Sequence, residues 1–386
     1  MKTTIPDQTQ CNRVEPTLYM ALELGEKSWK LGFSVGLGQK ARLRNIVAGD
    51  RQALKRELAR GKRRFGLKPE VTVWSCYEAG REGFWLHRYL RREGIHNHVI
   101  DSSSIEVNRR ARRAKSDGLD ARKLVEMLIR YGLGETRVWR VVRVPSRQDE
   151  DDRHLHRGLK TLKRERTAVG NRVRGLLKTQ GITWVGSVVG FKEAQLETLR
   201  DWEGAKLRVG LKGRLVTQIR RYQELTLQIG EIQKQRRQQL RESAKEDPKL
   251  DQIRALESLK GIGINGAWTL VMEAFGWRDF RNRRQVGGFV GQTPSPFQSG
   301  QTRREQGISK AGNDWCRDVL GELAWTWVQY QPSSELTLWF KQRYAHGGPV
   351  ARKVGIVAVG RKLMVQLWQF LEWGVIPPGA VFHSSL

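Results

Sequence analysis

The order of β-prone and helical stretches over residues 17–132 constrains this chain more than any other feature. TLYMALEL, KLGFSVG and ARLRNIVA are short runs rich in branched and aromatic residues. The turn signals GEKSW and GLGQK separate them, which predicts an antiparallel meander of three strands. A charged helix follows over about 50–64, then a strand at EVTVWSCY (70–77), a helix over 84–92 and a strand at IHNHVID (95–101). A further helix starts near Ser116 and continues through ARKLVEMLIRYG.

Three strands, then helix, strand, helix, strand, helix is the order of a ribonuclease-H-like α/β sheet. Acidic residues fall at special points of that outline. Glu23 lies at the end of the first strand and Glu78 just after the fourth. Asp117 and Asp120 occupy the first turn of the last helix, three apart and so on one face. Such oxygen ligands, converging at strand ends and a helix start, suit hard divalent cations, and paired magnesium ions are the usual apparatus for in-line phosphoryl displacement. The plainer reading is that an Asp at a helix start caps it and that Glu78 is a turn residue. The run RRARRAKSDGLDARK surrounds the aspartates with cations, as either a solvated basic face or a surface that tracks a nucleic-acid backbone.

Charge decides which partners to consider. The 386 residues carry a formal net charge of +30, and hydrophobic residues make up 39%, ordinary for a folded chain. So large a cationic excess points to a polyanion, with nucleic acid first because Lys and Arg neutralise phosphates and release counterions. No apolar run long enough to span a bilayer and no signal peptide is evident, so a soluble cytoplasmic (nucleoid-associated) protein with no membrane partner is expected. Cys11, Cys76 and Cys316 are far apart and show no CxxC spacing, which argues against a disulfide framework or zinc site. His96 and His98 alternate on the expected strand and His154 and His156 sit in a charged stretch, where solvated or packing roles are the expectation.

Residues 1–16 read as a loose arm and 17–145 as the α/β domain, with a polar linker over 141–152. Leu159, Leu162, Val169, Val173 and Leu176 then form a heptad-like seam with Arg166 at one position, and Leu215, Ile219, Tyr222, Leu225, Ile229 and Ile232 form a second. Residues 150–247 are therefore expected to make an antiparallel helical hairpin or a dimerising coiled coil with basic outer faces. The final, mainly α domain, 250–386, opens with LESLKGIGINGAWTLVMEAF. Lys260, Gly261 and Gly263 there predict a helix-hairpin-helix, whose exposed N–H groups would hold a DNA phosphate; an ordinary helix–helix turn is the alternative. The regular aliphatic and Trp positions beyond residue 313 are most simply core.

Between these lies SPFQSGQTRREQGISKAGNDWCR (295–317), read as a breaker-rich polar loop. It contains the pair Ser299–Gly300 and the cations Arg303, Arg304, Lys310 and Arg317. An exposed hydroxyl among cations suits attack on a phosphodiester whose developing charge the cations offset. Ser295 and Ser309 are rivals to Ser299, and Ser309 is a candidate cap for the following helix. No base neighbours Ser299 in sequence, so its activation has to come from folding, most simply from the acidic cluster of this or another subunit.

Taken together, LELGEKSW, CYEAG, KSDGLDARKL, LKGIG, GFVGQTPSPFQSG and GISKAGNDWCRDVL resemble the DEDD transposases, insertion-sequence recombinases with a RuvC-like N-terminal domain and a serine-bearing C-terminal domain, related to Piv-type invertases. The resemblance spans nearly the whole chain. It implies that Glu23, Glu78, Asp117 and Asp120 bind Mg²⁺, that Ser299 links covalently to DNA, and that a structured bridge RNA pairs with donor and target DNA. The family usually has Asp where this chain has Glu23, a side chain one methylene longer. A homodimer or homotetramer is expected, since recombination joins two DNA sites. A metal-dependent nuclease of the Holliday-junction type and a non-catalytic nucleic-acid-binding protein are the alternatives.

Overall fold

The computed structural model describes residues 16–80, 83–105, 117–183, 186, 188, 190–191, 193–242, 247–299 and 302–383; side chains are described for all of these except 103, 117–119, 295–299 and 302–306. The chain is mixed α/β and divides into two units, Met1–Val144 and Pro145–Leu386.

The first unit is built on a five-stranded sheet in the order β3-β2-β1-β4-β5. Strands β1 (Thr17–Leu24), β2 (Ser28–Ser34) and β3 (Arg42–Val47) form the expected antiparallel meander. Helix α1 (Arg51–Arg64) leads to β4 (Thr72–Glu78) and α2 (Trp85–Arg92) leads to β5 (His96–Ile100), and β4 and β5 add in parallel beside β1. Parallel neighbours need a crossover, and the helices supply it. Asp50 starts α1 by accepting from Ala53 N at 2.8 Å. Side chains alternate across β1. Leu18, Met20 and Leu22 pack with Leu54, Leu86 and Leu90, while Tyr19 and Ala21 pack with Leu124, Val125 and Leu128 of α3 (Asp117–Gly132). Helices thus cover both faces, which is why β1 reads as a continuous apolar run.

The direction of α3 matters for the site. Gly132 at its end lies against the Tyr19 ring near the start of β1. Further back along the helix, Leu124 O faces Cys76 Sγ at 3.8 Å, and Cys76 pairs with Ala21 further along β1. So α3 runs antiparallel to β1, and its first turn falls at the carboxyl end of the parallel strands.

The second unit begins with α4 (Arg147–Lys178), whose start is fixed by a reciprocal cap between Ser146 and Asp149. It packs antiparallel to α5 (Val209–Glu242). Arg221 pairs with Glu165, Arg172 Nη1 donates to Gln218 Oε1 at 2.7 Å, and the Arg166 guanidinium sits over the Tyr222 ring. Val173 and Leu177 bury against Leu215 and Ile219, with Leu177 rather than Leu176 taking the inward position. The two seams therefore close on each other as a hairpin within one chain.

The remaining helices are α6 (Pro248–Glu257), α7 (Ile264–Leu270), α8 (Arg283–Phe289), α9 (Asp314–Tyr330), α10 (Glu335–Tyr344) and α11 (Pro349–Trp373). They share a core that includes Leu256, Trp268, Leu320, Trp327, Leu363 and Leu367. By length and hydropathy α11 could cross a bilayer, contrary to the sequence expectation. It is instead a core helix of this unit, burying Ile356, Val359, Leu363, Met364, Leu367 and Trp368 and carrying Arg361 and Lys362 at mid-length. The segment expected as a polar loop also differs: β6 (Pro294–Ser299) and β7 (Thr302–Ile308) pair antiparallel as a hairpin. Pairing satisfies the backbone groups that a loop would leave to water.

Candidate active site

In the first unit the register brings two carboxylates together. Leu22 of β1 pairs with Tyr77 of β4, which places Glu23 beside Glu78 on adjacent parallel strands. Glu78 is the last residue of β4 and not a turn residue after it. Both line a cavity of about 300 Å³ that Glu26 and Gly80 also border. Crevices at the carboxyl ends of parallel strands are the usual ligand positions in open α/β sheets. Asp120 is half-buried at the start of α3, at this same end of the sheet; Asp117 belongs to the same turn, and its side chain lies outside the described residues. A donor set made only of carboxylate oxygens fits a hard divalent cation. Among the described residues no group of three or more His, Cys, Asp or Glu side chains is close enough to hold a metal ion. Glu26 was missed in the sequence because it reads as part of the GEKSW turn. Cys76 lies beneath the site, where burial, with Glu78 nearby, pushes its thiol far above the ordinary range, leaving an inert packing group.

In the second unit Ser299 ends β6, paired with Thr302 at the tip of the hairpin. Arg303 stands opposite Gln298 and Arg304 opposite Phe297; the side chains of Ser295, Ser299, Arg303 and Arg304 lie outside the described residues.

The foot of the hairpin is described in full, and it is tightly tied. Lys310 has φ 54°, the one non-glycine residue in the left-handed region among the described residues. Its N–H donates to Gly291 O at 2.9 Å. Arg317 Nη1 donates to Lys310 O at 3.0 Å and to Val290 O at 3.3 Å, and its other arm pairs with Asp314. Arg317 thus fastens the foot, while Lys310 projects as an exposed cation. Ser309 does not cap the next helix; its Oγ donates to Gly291 O at 3.2 Å. Asn313 is the cap, accepting from Cys316 N at 2.9 Å. Gly312 has φ 151°, and a Cβ there would collide with Phe289 O. Gly312→Ala is therefore expected to lower stability by about 2 kcal/mol or more. Urea unfolding checks this, and an unchanged midpoint would show that the foot tolerates the clash.

Beneath the foot sits a group that the sequence reading missed. Glu273 is fully buried in a single π-helical turn, Val271–Phe275. It accepts from His156 Nε2 at 2.8 Å, Arg157 Nε at 2.7 Å, Arg157 Nη2 at 2.9 Å and Asn313 Nδ2 at 3.0 Å. Burial alone would raise its pKa. The bonds from His156 and Arg157, with the Arg157 charge and Asn313, outweigh burial and hold it at about 2. His156 is lowered by burial, partly opposed by Glu273, so it stays neutral. The carboxylate thereby joins α4 to the residue that caps α9 at the end of the hairpin foot. The signal available in the sequence was a lone acid in the apolar run VMEAF.

The turn after α6 carries the other predicted positions. Gly261 has φ 85°, its carbonyl accepts from Thr326 Oγ1 at 2.7 Å, and a Cβ would come within 3.0 Å of Thr326 O. Lys260 N–H donates to Val381 O at 3.0 Å, so its backbone is tied while its side chain is half-exposed. Gly263 precedes α7 and supplies no side-chain cap, which leaves the first N–H groups of that helix unbonded by a cap.

Residues 253–338, from α6 through the hairpin to α10, match the family described as Transposase IS116/IS110/IS902. The transposase y4rJ of Sinorhizobium fredii is 37% identical over 379 residues, 95% of each chain. The transposase for insertion sequence element IS1111A of Coxiella burnetii is 25% identical over 306 residues, 78% of this chain and 77% of its own.

Proposed function

The chain belongs to the IS116/IS110/IS902 family of insertion-sequence transposases, and on that premise we propose that it cuts and rejoins DNA through Ser299, assisted by Mg²⁺ at Glu23, Glu78, Asp117 and Asp120. The observation that carries the proposal is the cavity shared by Glu23 and Glu78 at the strand ends where α3 begins. The sheet order β3-β2-β1-β4-β5 with helices on both faces supports a RuvC-like, ribonuclease-H-like reading of residues 17–145. Residues 150–247 then form a helical arm and 250–386 the serine-bearing domain.

The Ser299 oxygen attacks a phosphodiester phosphorus and gives up its proton. The bond from phosphorus to the leaving deoxyribose oxygen breaks, and that oxygen takes up a proton. The ester linkage survives as a serine–phosphate bond, so a hydroxyl of a second strand can displace the serine and rejoin the DNA. The carboxylates would hold Mg²⁺, which when bound offsets charge on the phosphate oxygens. Lys310, Arg303 and Arg304 hold the scissile phosphate, and Arg317 keeps the Lys310 backbone in place. The turn at Lys260, Gly261 and Gly263 acts as a helix-hairpin-helix on a neighbouring phosphate. The basic faces of α4 and α5 suit a structured guide RNA that pairs with donor and target. Joining two DNA sites calls for a homodimer or homotetramer acting in the cytoplasm.

Labelled element-end DNA, guide RNA and Mg²⁺ are incubated with wild type, Ser299→Ala and Asp120→Ala, and the products run on denaturing gels. Wild type is expected to give a protein–DNA adduct that Ser299→Ala lacks, and Asp120→Ala neither adduct nor cleavage. Cleavage that survives Ser299→Ala without any adduct would establish the metal-dependent nuclease instead. Binding without cleavage would leave a nucleic-acid-binding protein.

A further inference from the structure

The second unit holds a cavity of about 850 Å³ that the chemistry above does not use. Four cations line it: Arg283 and Arg284 from α8, and Arg361 and Lys362 from α11. Trp339 of α10 forms part of its wall, with the Lys362 ammonium 4.6 Å from its ring centre. Among the described residues none of the four cationic side chains has an ion-pair partner. Glu335 is the one carboxylate in the lining, and the cations outnumber it. Gln366 also lines the cavity, and its buried Oε1 has no hydrogen-bond partner.

We propose that this cavity binds a single-stranded segment of the DNA substrate, with phosphates on Arg283, Arg284 and Arg361 and an unstacked base against Trp339. The proposal rests on the DNA-transposase reading and deepens it. Planar guanidiniums match phosphate oxygens in pairs, and several in one hollow follow successive phosphates of a strand. A base inside a duplex shows only its edges in the grooves, so an indole wall selects a base freed from its stack. DNA is favoured over RNA by position. Thr293 lies on the cavity wall and leads directly into β6, so the cavity opens at the root of the hairpin whose tip is Ser299. Six residues of strand span about 20 Å, so a strand leaving the cavity reaches the hairpin tip within a few nucleotides.

The test uses the full chain and fluorescence anisotropy with a 20-nucleotide oligothymidylate, a duplex of equal length and an oligouridylate, each over a range of salt. Arg361→Gln/Lys362→Gln is expected to weaken oligothymidylate binding at least about tenfold and to flatten the salt slope by about 0.7, the one phosphate contact assigned to Arg361 on a single strand. Trp339→Ala is expected to weaken it about 5- to 100-fold, with Trp339→Phe retaining most of the affinity. Duplex affinity should change less than twofold in the Trp339 variants. Unchanged oligothymidylate binding in the cationic variant, an equal loss on duplex, or an equal loss on oligouridylate overturns the inference. If Trp339→Ala unfolds, Trp339→Phe and the surface pair Arg361→Gln/Lys362→Gln decide it. A wild type that forms the serine–DNA adduct while these variants bind normally sinks this inference alone. Oligonucleotide binding as stated, without any adduct, sinks the serine chemistry alone.

Discussion

Glu273→Ala is expected to destabilise the second unit by about 3–5 kcal/mol, because it leaves the buried His156 and the half-buried Arg157 without their acceptor. The carboxylate takes four hydrogen bonds from three residues and is fully buried. Glu273→Gln keeps the size and part of the bonding but removes the charge that Arg157 needs, so an intermediate loss is expected. Urea unfolding at neutral pH measures both, and a midpoint within error of wild type for Glu273→Ala would refute the role assigned to the network. The same group makes stability pH-dependent. The carboxyl is held at about 2 against an ordinary 4.5 in the unfolded chain, so its contribution is complete above the unfolded value and is lost as pH falls from there towards 2. That contribution is about 3 kcal/mol at neutral pH. His156 acts in the same direction from a higher pH. Its folded pKa lies below the ordinary 6.5, so the unfolded chain takes up a proton first and stability declines as pH falls below that value. Stability is therefore expected to fall in two stages on acidification, and Glu273→Gln should remove the lower stage.

Glu78→Gln is expected to reduce DNA cleavage by at least about 100-fold while the protein remains folded. The amide has the shape of the carboxylate but lacks its charge and one strong acceptor. Glu78 is partly exposed at the rim of the cavity, so the variant is expected to unfold within a few degrees of wild type. Cleavage measured against Mg²⁺ concentration checks the loss. Wild-type cleavage by Glu78→Gln would remove this cavity from the reaction.

Much of the first unit was legible because its strands are short, β-branched and separated by turn signals, and Glu23 and Glu78 fell at or beside strand ends. What the residues alone did not carry was register and direction. Only the pairing of Leu22 with Tyr77 makes Glu23 and Glu78 neighbours, and only the packing of Gly132 against Tyr19 brings the start of α3 to the same end. In the second unit the breaker-rich composition around Ser299 concealed a hairpin, since Gly, Pro and Ser lower strand propensity but do not forbid pairing. The cap of α9 went to Asn313 rather than Ser309 because Ser309 is drawn back to Gly291. Glu273 was hidden because its partners His156 and Arg157 lie more than a hundred residues earlier, and the seams were ambiguous because the same heptad pattern serves a hairpin and a dimer equally.

The central claim is that Ser299 becomes bonded to DNA. The most direct measurement traps the wild-type reaction on element-end DNA with guide RNA and Mg²⁺, digests the product with nuclease and protease, and maps the residual nucleotide by mass spectrometry. A nucleotide phosphate is expected on the peptide containing Ser299, absent from Ser299→Ala. A nucleotide on Ser295 or Ser309, or cleaved DNA with no nucleotide on any peptide, would contradict it.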